Sequence, residues 1–270
     1  MSFVTANGVR FNVQRLGAGE RSIVCLHGLV MDNLSSWYYT VANSLAKQAD
    51  VLLYDLRGHG LSDMPKAGYT VEDSVADLVG ILDAVGLRRP VYLMGNSYGG
   101  QVGLAFARAF PARTAGLVLV EAHFAVEGWG DQMTAAFEFA GMRMSQAEVR
   151  EWLEKKSQRN HARRFRRAES LMTDTSLLND LRNCPPLTED DLRAIRVPVL
   201  ALYGERSVDN WASAVERGRD MERVVPQCEL HILRSGTHSI LLENTAWVRK
   251  WVVDWLARQT PPGMATEVAV

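Results

Sequence analysis

Six short apolar runs recur along the chain, and they constrain its fold more than any other feature of the sequence. They occupy residues 22–26, 51–55, 91–95, 116–121, 197–204 and 229–233. Successive residues in these runs are apolar, rather than alternate ones, which is typical of strands buried on both faces of a parallel sheet. Between the runs, apolar residues three or four positions apart predict helices at residues 37–47, 71–85, 98–110 and 247–257. Strands that alternate with helices predict an α/β protein with a mostly parallel, doubly wound sheet.

Residues 122–195 interrupt this alternation. They show helical patterns without a strand, and they contain a basic run at residues 155–167 with seven lysines and arginines. We predict that this segment is a helical lid, inserted between two strands of a core that consists of residues 1–121 and 196–259. Residues 260–270 are rich in proline and small side chains, and we expect them to form a flexible tail.

The composition excludes several function classes. The formal net charge of −1 gives no general attraction to nucleic acid or to an anionic membrane. Three cysteines without a CxxC pair predict a reducing compartment rather than a disulfide framework. The sequence has neither a leader of basic then apolar residues nor an apolar run of membrane-spanning length. We therefore expect a cytoplasmic protein, and the absence of metal, phosphate-loop and dinucleotide motifs predicts no cofactor.

The segment GNSYGG, residues 95–100, lies between an apolar run and a helical pattern. A G-x-S-x-G sequence at such a junction forces a sharp turn that holds the serine hydroxyl above the sheet, and Gly95 and Gly99 allow the close backbone approach that the turn needs. The helix that begins at Tyr98 directs free N–H groups and the positive end of its dipole toward the same place. The pattern predicts that Ser97 is a nucleophile.

Four segments, in the same order along the chain, resemble the α/β-hydrolase family. His27-Gly28 resembles its oxyanion loop, DLRGHGLSD at residues 55–63 resembles the turn after the following strand, GNSYG resembles the nucleophile elbow, and GTHSILLENTAWV at residues 236–248 resembles the histidine loop. The resemblance covers nearly the whole chain and implies the α/β-hydrolase fold.

A serine hydroxyl needs a base to take its proton near neutral pH. His238 is the best placed of six histidines, in a loop after the last predicted strand, and the resemblance selects the same residue. His27 and His59 lie in glycine-containing turns, which we expect them to shape. His123 follows the fourth of the apolar runs and is a candidate for lining the pocket.

The histidine needs a carboxylate to fix its tautomer and stabilise its cation. The family usually carries this acid after its seventh strand, but the expected position is Ser207 here, with Asp209 two residues later. Glu121 ends another predicted strand, and a minority of the family, some polyketide chain-releasing thioesterases among them, carry the acid at that strand end. We predict that Glu121 is the acid, with Asp209 as the alternative.

The tetrahedral intermediate of acyl transfer needs donors for its oxyanion. By resemblance, the backbone N–H of Tyr98 is one donor and that of Leu29, just after His27-Gly28, is the second.

A serine nucleophile implies acyl transfer to water or to another acceptor, so we expect an esterase, thioesterase or acyltransferase. The basic run predicts a solvated helix face or a docking site for an acidic partner, such as an acyl carrier protein or the phosphate of its pantetheine arm. With Glu121 as the acid, it favours thioester chemistry in a biosynthetic pathway.

Two alternatives stay open. Carbon–carbon bond hydrolases of ring-cleavage products share GNSxGG, although their oxyanion loop usually carries more glycines and a proline than HGLVMDN. The other alternative is a non-catalytic binding protein with the same fold. Ser207 favours it, because this serine stands where the family usually has its triad acid.

Overall fold

The computed structural model describes residues 2–122, 124–144, 146–155, 159–209 and 212–259. The predicted tail, residues 260–270, and His123 lie outside the described residues. Ten strands form in the described part of the chain: β1 (Ser2–Ala6), β2 (Val9–Leu16), β3 (Ser22–Leu26), β4 (Asp50–Tyr54), β5 (Val91–Asn96), β6 (Thr114–Val120), β7 (Val199–Gly204), β8 (Val208–Asp209), β9 (Ala212–Ser213) and β10 (Cys228–Leu233).

The helices of the described part are α1 (Ser35–Trp37), α2 (Asn43–Leu45), α3 (Val71–Ala84), α4 (Tyr98–Ala109), α5 (Trp129–Met144), α6 (Ala147–Glu154), α7 (Arg159–Thr173), α8 (Leu177–Arg182), α9 (Glu189–Arg193), α10 (Ala214–Val224), α11 (Ile240–Glu243) and α12 (Thr245–Arg258). Within the residues that the structure describes, no helix is both long and apolar enough to cross a membrane.

Eight strands form one sheet in the order β1-β2-β4-β3-β5-β6-β7-β10. The antiparallel hairpin β1–β2 joins β4 at one side, and the other six strands of this sheet, β4, β3, β5, β6, β7 and β10, run parallel to one another. Helices cover both faces, because apolar side chains of successive residues in β3 to β6 point alternately into two separate core clusters. The structure confirms the predicted α/β fold with a mostly parallel, doubly wound sheet. The carboxyl ends of the parallel strands meet at one edge, where ligands bind in such folds.

Three details differ from the sequence-based expectation. The helix predicted at residues 37–47 is divided by a π-helical turn, because Thr40 Oγ1 donates to the Ser36 carbonyl at 2.5 Å and competes with the regular backbone pattern. The strand predicted to end at Glu121 ends one residue earlier, since Glu121 has a φ of 50°. The two-stranded ribbon β8–β9 was not predicted.

Helices α5 to α9 lie between β6 and β7 along the chain, and the described residues of this segment contain no strand. Leu171, Leu177 and Leu181 bury their side chains in the same core cluster as the sheet. Arg167 of α7 donates to the carbonyl oxygens of Gly58 and Ser62, in the turn after β4. The segment therefore packs directly on the carboxyl edge of the sheet, and its action as a lid stays a prediction.

Candidate active site

Ser97 lies at the junction of β5 and α4 with a φ of 52° and a ψ of −121°. This backbone conformation is costly for a residue with a side chain, and such strain clusters at functional sites. Two glycines make the turn sterically feasible: a Cβ at Gly95 would lie 2.3 Å from the backbone N of Gly100, and a Cβ at Gly99 would lie 2.3 Å from the carbonyl oxygen of Leu26. The glycines of GNSYGG are therefore required by the fold, and they place the serine hydroxyl at the carboxyl edge of the sheet.

His238 lies in the loop between β10 and α11. Its Nε2 is 3.3 Å from Ser97 Oγ, which is within hydrogen-bond reach. About two fifths of the His238 side chain is exposed, so its ring borders a solvent-accessible space beside the serine. The structure brings together the two residues that the sequence selected as nucleophile and base.

Glu121, directly after β6, presents a fully buried carboxylate to the other side of the His238 ring. Its Oε2 is 3.3 Å from His238 Nδ1, and its Oε1 accepts a hydrogen bond from the backbone N–H of Gly204 in β7. Oε2 is buried and forms no hydrogen bond of standard geometry with any described residue, so its contact with the imidazole is one of ion-pair distance. The positive φ of 50° turns this side chain toward the histidine.

Ser207 occupies the place after β7 where the resemblance leads one to expect an acid. It is buried, and its Oγ is 3.5 Å from His238 Nδ1, the same nitrogen that faces Glu121. Asp209 lies in β8, where its backbone pairs with Ala212, and its side chain lies outside the described part of the chain. Among the described carboxylates, Glu121 is the one that contacts the imidazole.

The oxyanion loop passes directly over the nucleophile. A Cβ at Gly28 would lie 3.4 Å from Ser97 Cβ. The N–H groups of Gly28 and Val30 are used inside the protein, by Asp32 Oδ2 and by His59 Nε2, both at 2.8 Å. The intervening N–H of Leu29 has no partner among the described residues, and neither has the N–H of Tyr98, the first residue of α4.

His27 and His59 hold this loop rather than face the serine. His59 accepts the Val30 N–H through Nε2 and donates from Nδ1 to the Arg57 carbonyl at 2.8 Å. Burial is the main reason that the pKa of His59 falls from 6.5 to about 3, with the neighbouring His27 adding to the decrease. His27 Nε2 accepts the Leu56 N–H at 2.9 Å. Both rings are held by backbone groups of the loop and of the turn after β4, and they are parts of the scaffold.

Two residues of the site were not predicted as such. Asp32 binds the Gly28 N–H, and the same oxygen lies 3.5 Å from Asn96 Nδ2, so this carboxylate fixes the oxyanion loop against the nucleophile elbow. Ser207 was identified in the sequence only as the position where the family usually has its acid, and its contact with His238 was not predicted. The one sequence signal for Asp32 was its place four residues after Gly28. In the described part of the chain, no group of three or more His, Cys, Asp and Glu side chains is arranged to bind a metal ion.

Comparison with known proteins places the chain in a family of hydrolases. The model of the alpha/beta hydrolase family matches residues 23–251, and the chain belongs to this family. A 2-hydroxy-6-oxo-2,4-heptadienoate hydrolase of Pseudomonas putida is 28% identical, over 95% of this chain and 96% of its own length.

Solved structures share the fold. A thermophilic esterase from Thermogutta terrifontis has a TM-score of 0.74 at 23% identity, over 95% of this chain and 97% of its own. The enol-lactonase from Burkholderia xenovorans has a TM-score of 0.71 at 23% identity, over 95% of this chain and all of its own.

Proposed function

We propose that this protein transfers acyl groups from esters or thioesters through an acyl-enzyme on Ser97. The observation that carries the proposal is the position of His238 between two groups: its Nε2 lies 3.3 Å from Ser97 Oγ and its Nδ1 lies 3.3 Å from the Glu121 carboxylate. A nucleophile, a base and a buried carboxylate in this order are the requirement for activating a serine.

The residues of the site have distinct roles in the proposed mechanism. His238 removes the proton of Ser97 as Oγ bonds to the acyl carbon, and Glu121 stabilises the resulting imidazolium. The backbone N–H groups of Leu29 and Tyr98 hold the oxyanion. In enzymes that use a side-chain donor at this place, removal of that donor costs about 2.7–4 kcal/mol of transition-state stabilisation. When the intermediate collapses, the leaving group takes the proton from His238. Water or another acceptor then attacks the acyl carbon and regenerates Ser97.

The substrate class that we favour is a thioester, presented by an acyl carrier in a biosynthetic pathway. Two features support it. Glu121 follows the strand after which some chain-releasing thioesterases carry their triad acid. The described arginines of the basic run lie on α7, which lines one cavity together with the oxyanion loop. Hydrolysis and transfer to another acceptor use the same acyl-enzyme, and a cytoplasmic location stays part of this proposal.

Carbon–carbon bond hydrolysis is the second candidate. The relative from Pseudomonas putida is named as a hydrolase of 2-hydroxy-6-oxo-2,4-heptadienoate, and its similarity extends over nearly the full length of both chains. The same serine, histidine and oxyanion donors would serve this reaction, so the substrate decides between the two candidates.

Intact-protein mass spectrometry tests the acyl-enzyme. Wild type, Ser97→Ala and the control Ser44→Ala, which is in α2 outside the site, are incubated with activated esters and acyl-pantetheine thioesters, and product is measured in the same tubes. We expect an acyl adduct or product formation with wild type and the control, and neither with Ser97→Ala. Turnover of a dienoate ring-cleavage product, with no reaction of any ester or thioester, would favour the second candidate. Failure with every substrate would favour a binding protein.

A further inference from the structure

A cavity of about 830 Å³ lies beside the oxyanion loop, on the side of the loop where α7 packs. Four arginines of α7 line it: Arg163, Arg164, Arg166 and Arg167. We refer to it as the arginine cavity. The sequence singled out these residues only as part of a basic run, and the proposed mechanism does not use them.

Three of these arginines have no carboxylate of a described residue bound to them. Arg163, Arg164 and Arg166 are exposed, and none of them forms an ion pair with a described residue. Arg167 is used structurally, because it donates to the Gly58 and Ser62 carbonyls and thereby fixes α7 on the core. Burial lowers the pKa of Arg167, and the positive charge of Arg163 acts in the same direction. Arg163, Arg164 and Arg166 therefore bring to the cavity wall positive charge that no ion pair with a described residue offsets, whereas Asp55 and Asp63 lie near Arg167.

The carboxylates in the cavity wall are already engaged. Asp55 is buried and accepts the backbone N–H groups of Leu34 and Leu61. Asp32 accepts the N–H groups of Gly28 and Asn33, both at 2.8 Å. Four guanidinium groups against two engaged carboxylates leave an excess of positive charge in a concave site. Such a site favours an anionic ligand, and guanidinium forks match the geometry of phosphate oxygens.

The oxyanion loop lies between this cavity and the nucleophile, since Gly28 faces Ser97 and the residues from Val30 onward face the cavity. Val30, Met31 and Asp32 line the cavity, and Leu29, the preceding residue, supplies the proposed oxyanion donor. The rim is partly apolar, since the Met31 and Tyr39 side chains are 38% and 80% exposed. A ligand whose charged end lies among the arginines therefore has its remaining length beside the loop that covers Ser97.

We propose that the arginine cavity binds the phosphate of the pantetheine-type carrier that presents the acyl thioester. This inference rests on the proposed thioester chemistry. Coenzyme A and a phosphopantetheinylated carrier protein share the recognised group, a phosphate ester attached to a pantetheine arm. The rim side chains contact the arm, and the arginines hold the phosphate while the thioester lies at Ser97.

The binding test uses the Ser97→Ala protein, which cannot turn over a thioester. Isothermal titration calorimetry with free coenzyme A and with pantetheine, which lacks the phosphate, measures the contribution of the phosphate. The same titrations are made with Arg163→Glu/Arg166→Glu in this background, and with Arg249→Glu, an exposed arginine of α12 outside the cavity, as the matched control. Hydrogen bonds between charged groups are among the stronger ones in proteins, so we expect coenzyme A to bind at least about tenfold more weakly to the double variant. Equal binding of coenzyme A to the double variant and the control would refute the proposal.

The kinetic test uses the Ser97-containing protein and three donors with one acyl group: butyryl-coenzyme A, a butyryl carrier protein and butyryl-pantetheine. We expect the ratio of kcat/KM for a phosphate-containing donor to that for butyryl-pantetheine to fall about tenfold in Arg163→Glu/Arg166→Glu and to stay unchanged in Arg249→Glu. The donor with the larger ratio, butyryl-coenzyme A or the butyryl carrier protein, identifies which of the two carriers the enzyme prefers.

Wild-type turnover of butyryl-pantetheine without any preference for phosphate would overturn this inference and leave the acyl-enzyme intact. Absence of any thioester turnover, together with no binding of coenzyme A to Ser97→Ala, would overturn both. A preference for the carrier protein that the double variant loses, with no binding of free coenzyme A, would also overturn the phosphate site, because it indicates docking of an acidic protein surface.

Discussion

Substitution of Glu121 by glutamine removes the charge of the proposed triad acid and keeps its shape. Unit charges 3.3 Å apart interact by about 5 kcal/mol at an effective dielectric constant of about 20. Each ~1.4 kcal/mol changes a rate tenfold, so the upper limit of the effect on kcat is about 10⁴-fold. Because solvent reaches the half-exposed imidazole of His238 and screens this interaction, we expect a decrease of about 10³-fold.

The tautomer of His238 acts in the same direction. A glutamine at position 121 accepts the Gly204 N–H through its Oε1, as the glutamate does, so the fold is retained. Its amide nitrogen then donates to His238 Nδ1 and leaves the proton on Nε2, where the ring cannot accept the proton of Ser97. The assay is the initial rate on a p-nitrophenyl ester across a range of substrate concentrations, and thermal unfolding followed by circular dichroism verifies the fold of each variant.

Ser207 allows a complementary test in which activity is restored rather than lost. Its Oγ lies 3.5 Å from His238 Nδ1, so an aspartate there reaches the same nitrogen. We expect Glu121→Gln/Ser207→Asp to recover at least about tenfold of the activity that Glu121→Gln loses. The matched control is Asp209→Ala, which we expect to leave kcat within a few-fold. If Glu121→Gln retains activity within about tenfold of wild type while Asp209→Ala loses about 10³-fold, the acid assignment is wrong.

Three further predictions concern the scaffold of the site. Burial lowers the pKa of His59 from 6.5 to about 3, so between these pH values the unfolded chain binds a proton that the folded chain does not, and this group reduces stability by about 1.4 kcal/mol for each unit that the pH falls. Urea unfolding of wild type and His59→Gln between about pH 6 and pH 4 should therefore show a steeper loss of stability in wild type by this amount, and parallel curves would contradict it. Gly99→Ala places a Cβ 2.3 Å from the Leu26 carbonyl and should cost about 3 kcal/mol or more of unfolding free energy together with most activity; an alanine variant as stable as wild type would show that the elbow is looser than described. Arg57 binds Asp77 through two contacts of 2.6 Å in a buried pair, so Arg57→Met should destabilise the protein by about 3–5 kcal/mol in chemical denaturation, and a loss below about 1 kcal/mol would mean that solvent reaches the carboxylate.

The sheet was predictable because the parallel strands β3 to β7 are buried on both faces, and a continuous apolar run of about five to eight residues is typical of such strands. The π-helical turn at Tyr38–Ala42 could not be predicted, because it depends on hydrogen bonds of Thr40 and Asn43, and a pattern of apolar residues carries no information about such bonds. The ribbon β8–β9 has two residues in each strand, which is too short for any periodicity.

The serine and histidine of the candidate site were predictable because each stands in a local segment with its own signature. Glu121 has no such local signature: only its position at the end of an apolar run identified it, and the positive φ that turns its carboxylate toward His238 is a property of the folded chain. The contribution of Asp32 and the arginine cavity likewise depend on contacts between segments far apart in sequence, which no local pattern encodes.

Strands β6 and β7 are neighbours, and residues just after each of them, Glu121 and Ser207, face one imidazole nitrogen. This proximity has an evolutionary consequence. A lineage can acquire an aspartate at position 207 while the glutamate still serves, and lose the glutamate afterwards. The acid can therefore pass between adjacent strands by single substitutions without an inactive ancestor, and selection is free to remodel the β7–α10 connection for as long as the carboxylate resides on β6.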